Sequence, residues 1–172
     1  MKEYPWYDVI RGEDDLKQGD FIKDCPVVIP PSEISDDIEV RIINYDVVIM
    51  SQSCDLVQRK LDLVLICPIW PLSEFERRSD FFKGRKGKES LRQGNVPGYH
   101  LLNKCEIDGF ETGYLVVDFR SVYSVPFDFL VELAQKRDKR PRLLPPYREH
   151  LSQAFARFFM RVGLPVDIPP LR

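Results

Sequence analysis

Asp46 to Pro68 reads DVVIMSQSCDLVQRKLDLVLICP. Two apolar runs, Val47–Met50 and Leu61–Ile66, flank a polar elbow, Ser51-Gln52-Ser53-Cys54-Asp55. Runs this short and β-branched read as buried strands rather than helices. The elbow places two hydroxyls, an amide, a thiol and a carboxylate at the end of a core strand. It is the first candidate site.

Working outward, the chain on either side supplies more strands. Gly19-Asp20 is a turn that launches Phe21-Ile22, with Pro26–Ile29 extending it and Pro30-Pro31 ending it. Glu33–Asp37 reads as an acidic loop. Ile38–Ile43 reads as a strand, and Asn44-Tyr45-Asp46 as the hairpin turn into the central run. Pro68 is expected to close the strand after the elbow. Further on, Tyr114–Val125 is the longest strand-like segment, with Val117, Phe119 and Val122 facing inward.

Helices punctuate this pattern. Pro71–Arg78 opens one that Ser73 can cap, and Pro126-Phe127 suits a helix start that runs to about Gln135. The clearest is Tyr147–Val162, where Leu151, Ala154, Phe155, Phe158 and Val162 recur on one face and Gly163 stops it. Residues 1–15 read as an irregular arm pinned by Tyr4, Trp6 and Tyr7. The expectation is a single domain over 1–172: an arm (1–15), a mainly β barrel (16–125) interrupted by a helical and basic insertion (72–97), and C-terminal helices (126–172).

Composition narrows the function classes. The 172 residues carry a net charge of −2 with 44% hydrophobic residues. That balance suits a globular protein large enough to bury its own core, and not one that coats nucleic acid over its whole surface. The N-terminus MKEYPWYDVIRGEDD has no apolar signal region, and no run approaches a membrane span. A cytoplasmic protein with reduced thiols is expected. The four cysteines form no C-x-x-C pair, and Asp55, His100 and Cys105 lack a ligand spacing, so no metal and no cofactor is expected.

The strands occur in an order that resembles the PemK/MazF-like toxin family: Gly19-Asp20-Phe21-Ile22, Val47-Val48-Ile49-Met50-Ser51, Val64–Ile69 and Val117-Asp118-Phe119-Arg120-Ser121-Val122. The resemblance implies an SH3-like β-barrel with helices packed on it, in a family where some members cleave RNA as dimers. Two positions depart from it. Tyr45-Asp46 stands where the family has Arg-Pro, and Trp70 where it has Thr. These are where the ribonuclease carries its cation and its hydroxyl, so cleavage is not implied here. What remains is a non-catalytic interaction or regulatory module, a bacterial accessory protein in a toxin–antitoxin or defence-type system.

Two other readings stay open. Cys54 is a candidate nucleophile with His100 as its base and Asp55 beside it, since a catalytic thiol needs a group that makes it a thiolate. Against this, free cysteines are commonly small buried hydrophobes. Ser51, Gln52, Ser53 and Asp55, with Asp118 and Arg120 on the polar face of their strand, are candidate binding residues; satisfied turns and a salt bridge are the plainer reading. The basic stretches Lys83–Lys88 and Lys136–Arg142 read as loops. Their Arg85, Lys86, Lys88, Arg137 and Arg140 are candidates for RNA binding or for an endoribonuclease. Phe155, Phe159 and Met160 on the last helix are candidates for a protein-partner surface.

Overall fold

The computed structural model describes residues 4–33 and 40–160. Its spine is β4 (Leu63–Pro71), which pairs along one edge with β3 (Arg41–Ile49). The other edge of β4 is shared. β7 (Tyr123–Pro126) pairs with Leu63–Ile66, and β6 (Leu115–Asp118) pairs with Ile69–Pro71. β2 (Phe21–Ile29) adds outside β3 and β5 (Tyr99–Leu102) outside β6, all antiparallel. A second ribbon, β1 (Tyr7–Arg11) with β8 (Lys139–Leu143), joins the start of β2 through the Asp20–Arg142 bridge. Helices complete a mixed α/β architecture: α1 (Ser53–Val57), α2 (Leu72–Arg78), α3 (Asp80–Lys83), α4 (Arg85–Arg92), α5 (Phe127–Gln135) and α6 (Tyr147–Phe159). Among the described residues the sheet does not close into a barrel.

The central run is apolar without alternation because its sheet is covered on both faces. Val47 and Ile49 pack with Leu56 of α1 and Leu130 of α5. Val48 and Met50 point the other way, into a core with Phe119 and Leu151 of α6. Alternate residues of a strand face opposite sides, so both registers must be apolar here. α6 buries Leu151 and lays Ala154, Phe155 and Phe158 against the same core, as its 3.6-residue periodicity predicts. A third, smaller cluster joins Phe75, Phe82 and Leu91 of α2–α4 to Val116.

Several expectations change. Asn44-Tyr45-Asp46 is not a turn; β3 runs straight through it. The polar residues there match a bulge in the facing strand between Ile22 and Cys25, where Asp24 takes φ 50° and donates its N–H to Asp46 Oδ1 at 3.0 Å. Pro68 does not end its strand. It pairs with Val47 and lies where the outer edge of β4 passes from β7 to β6, so neither of those strands needs its missing N–H. Tyr114–Val125 divides into β6 and β7 because Phe119–Val122 turns between them. Asp118 fixes that turn by accepting the Arg120 N–H at 2.9 Å.

Ser73 lies inside α2, behind an N-cap at Pro71. The arm is not irregular: it contains β1, with Trp6 stacked on Tyr147 at 3.6 Å between ring centroids. Neither basic stretch is a loop. The first enters α4, where Gly87 is buried so closely that a Cβ would sit 1.8 Å from the Phe81 carbonyl oxygen. The second contains β8. Most of Glu33–Asp37, Ile38 and the expected stop at Val162–Gly163 lie outside the described residues.

Candidate functional site

The elbow is built by hydrogen bonds from three directions. Ser51 Oγ accepts the Leu65 N–H at 2.8 Å, which ties it to β4. Ser53 Oγ accepts the Gln18 N–H at 3.1 Å. Gln18 is buried; its Nε2 donates to the Met50 carbonyl at 2.8 Å and to Ser152 Oγ of α6 at 3.4 Å. Gln52 Nε2 also donates to Ser152 Oγ, at 3.3 Å. Between elbow and helix lies an open cleft of about 420 Å³ lined by Gln18, Gln52, Ser53, Cys54, Arg148, Glu149, Ser152 and Gln153. Asp55 sits in the first turn of α1 and does not line it. Gln18, Ser152, Arg148 and Glu149 were not legible as site residues, since each comes from an element distant in sequence.

The thiols separate cleanly. Cys25 and Cys67 are buried, and burial pushes their pKa values up to about 11 and about 12. Cys54 is exposed, which overturns the expectation of a buried hydrophobe. Neither imidazole lines its cleft: His100 and His150 both line a different cavity. The acidic group in its cleft is Glu149. Burial pushes this carboxyl up, but hydrogen bonds from Arg148 (Nη2 at 2.5 Å, Nε at 3.1 Å) outweigh that, and it titrates below its ordinary range. A carboxylate held by a guanidinium is a poor base for a thiol. Among the described residues that line the cleft, the acid is claimed by Arg148 and the rest are hydrogen-bonding groups and the Cys54 thiol.

His100 stands on β5 and faces α6. Its cavity, about 470 Å³, is lined by Gln93, Gly94, Pro97, Tyr99, His150, Gln153, Ala154 and Arg157. Gln153 borders both this cavity and the elbow cleft. Burial, then the neighbouring His150, lowers the His100 pKa to about 4, so its imidazole is neutral at neutral pH. Beside this cavity Asp118 and Arg120 form a two-pronged pair, Nε–Oδ1 and Nη2–Oδ2 both at 3.1 Å, and the guanidinium lies 4.4 Å over the Tyr99 ring. They clamp β6 to β5 rather than line either cavity.

The nucleic-acid candidates are largely committed elsewhere. Arg140 is 2% exposed. It binds Asp20 Oδ2 at 2.8 Å and donates to the carbonyls of Arg11, Gly12, Asp14 and Asp15. Arg142 holds the other oxygen of Asp20, which is fully buried. Lys88 pairs with Glu76 at 2.5 Å and Arg137 with Asp24 at 3.6 Å. Arg85 and Lys86 are exposed and carry no ion pair among the described residues. Two cations on one short helix do not make a track for a phosphate backbone.

On the opposite face of the sheet, β2 and β3 confront β7 and α5 across an apolar groove of about 560 Å³. Pro26, Val28, Ile42, Val125 and Phe129 line it, and no lining residue is charged. At the end of α6, Phe159 and Met160 are exposed, while Phe155 is half-buried against Phe119. Among the described residues no group of three potential ligands could hold a metal, and no helix is long and apolar enough to cross a membrane. No protein-family model matches the chain and no curated protein matches it significantly, so the functional reading rests on this geometry.

Proposed function

We propose that the protein is a non-catalytic interaction module, a cytoplasmic bacterial accessory protein of a toxin–antitoxin or defence-type system. In this reading its sheet is a PemK/MazF-like, SH3-type barrel left open at one seam. The observation that carries the reading is the uncharged groove at that seam. Its two walls include β2 and β7, each of which pairs along one edge only among the described residues. Val28 is 59% and Ile42 63% exposed on the same hairpin. Unpaired backbone groups beside apolar side chains suit one kind of occupant, an extended segment of a partner protein that adds as a strand. Side chains at alternate positions of that segment would fill the groove. The missing cation and hydroxyl of the ribonucleases, and a thiol without a base, favour binding over catalysis.

The test is co-expression with the proteins encoded by adjacent genes, followed by size-exclusion chromatography. A stoichiometric complex is expected with one of them. Ile42→Glu should abolish it, because an uncompensated carboxylate would have to be desolvated, while Phe159→Glu leaves it intact. A complex indifferent to Ile42→Glu and Val28→Glu would overturn the groove as the docking site.

A further inference from the structure

We propose that the cavity between β5 and α6 binds a phosphate-bearing small molecule, gripped by the guanidinium of Arg157 and the imidazoles of His100 and His150. The chain has two histidines, and the fold brings both to this one cavity from separate elements. No carboxylate lines it. Among the described residues neither imidazole has a hydrogen-bond partner and Arg157 has no ion pair, whereas Arg92, Arg120 and Arg148 are each held by an acid. The Arg157 guanidinium and one N–H of each imidazole are donors left open around one space, and no carboxylate lines it to meet them. A phosphate supplies the acceptors, and a planar guanidinium matches two of its oxygens. The amide of Gln153 adds a further donor at the rim, whereas Gln93 Nε2 already donates to Glu89 Oε1 at 2.7 Å.

A small molecule fits better than a nucleic-acid strand. The cavity lies within the size range of small-ligand sites. Of the cations that would extend a backbone track, Lys88 and Arg137 each pair with an acid, and Arg140 and Arg142 are both tied to Asp20. The charged and titratable groups around His100 are His150 and Arg157 from α6, Tyr99 on its own strand, and the mutually neutralising pair Asp118 and Arg120 beyond β6; Glu149, which acts on His150 from the same helix, is shared with Arg148. An arriving phosphate is therefore the one negative charge the imidazole would meet unshared. Burial keeps His100 neutral in the empty cavity, and phosphate should draw its titration toward neutral pH. This site shares no residue with the apolar groove, so the two proposals stand or fall separately.

The experiment is NMR of the histidine imidazoles in the full chain, titrated with inorganic phosphate, with AMP and with a short single-stranded RNA. Saturable, concerted shifts of both histidines are expected with phosphate and AMP, with His100 titrating at higher pH in the bound state. Arg157→Gln should weaken AMP binding by about tenfold or more and leave the thermal midpoint unchanged. Absence of saturable shifts overturns the site. Equal affinity in Arg157→Gln overturns the role of the guanidinium. RNA binding more than about tenfold tighter than AMP overturns the small-molecule assignment in favour of a strand.

Discussion

Two clusters of basic side chains differ in one respect, how many of their hydrogen bonds the protein itself completes. Around Asp20, Arg140 meets a carboxylate and four backbone carbonyls, and Arg142 closes the other side. Every nitrogen of the Arg140 fork has a protein partner, and Arg140 and Asp20 are buried. Around His100, His150 and Arg157 the donors face a cavity and meet no acceptor among the described residues. A buried charge without partners is costly, so the first cluster must be structural. The second keeps contact with solvent, and so can leave its donors unused until a ligand arrives. Positive charge alone points to nothing; the state of its acceptors separates a joint in the fold from a site.

The largest test of this contrast is Asp20→Ala. It strands Arg140 in the interior and detaches the β1–β8 ribbon from β2, with an expected loss of about 3–5 kcal/mol in urea unfolding. Arg140→Lys should recover little of the wild-type stability, since an ammonium cannot reproduce the fork. An effect under about 1 kcal/mol would reduce the cluster to a surface-type pair.

Next comes pH. The folded protein lowers the His100 pKa to about 4, so between pH 6.5 and about 4 the unfolded chain binds the proton and the folded one resists it. Stability is whole above pH 6.5, falls through that window and is level with respect to this group below it. Partial solvent contact of His100 limits the loss to roughly 1–2 kcal/mol. Denaturant midpoints of wild type and His100→Asn across the window should converge on acidification; parallel curves would mean the ring is hydrated. Smaller still is Arg120→Ala, which removes a partly exposed clamp and a cation–π contact. About 0.5–1 kcal/mol is expected, read from thermal melts at low and high salt. Smallest is Arg157→Gln, within about 0.5 kcal/mol of wild type, because the guanidinium holds nothing in place. A larger cost would show that it belongs with Arg140.

The core strands and α6 were legible because their signal is local. Val47–Met50 announces burial on both faces, and Leu151, Phe155 and Phe158 mark the inner face of α6. Arg140 was not legible, because its acid lies 120 residues away and a basic run looks solvated by default. The pairing of His100 with His150 depends on how α6 crosses β5, which periodicity does not encode. Asp46 misled for a similar reason: its carboxylate serves a bulge in another strand. The elbow was rightly singled out as dense in polar groups. Its hydroxyls, however, spend themselves on Leu65 and Gln18, and the cleft beside it owes half its lining to α6.

The pairing of β1 with β8 also bears on how the chain comes to be folded. Arg140 reaches the Arg11 carbonyl across 129 residues. During synthesis the first strand leaves the ribosome on the order of 10 s before its partner exists, at usual elongation rates. For that interval Trp6 lacks Tyr147 and Tyr7 lacks Leu143 to complete their shelter. Among the described strands, β1 waits for the partner farthest from it in sequence. Its docking is a late, long-range closure of the kind that slows folding, and a nascent chain stalled before Arg140 would carry β1 without its partner strand.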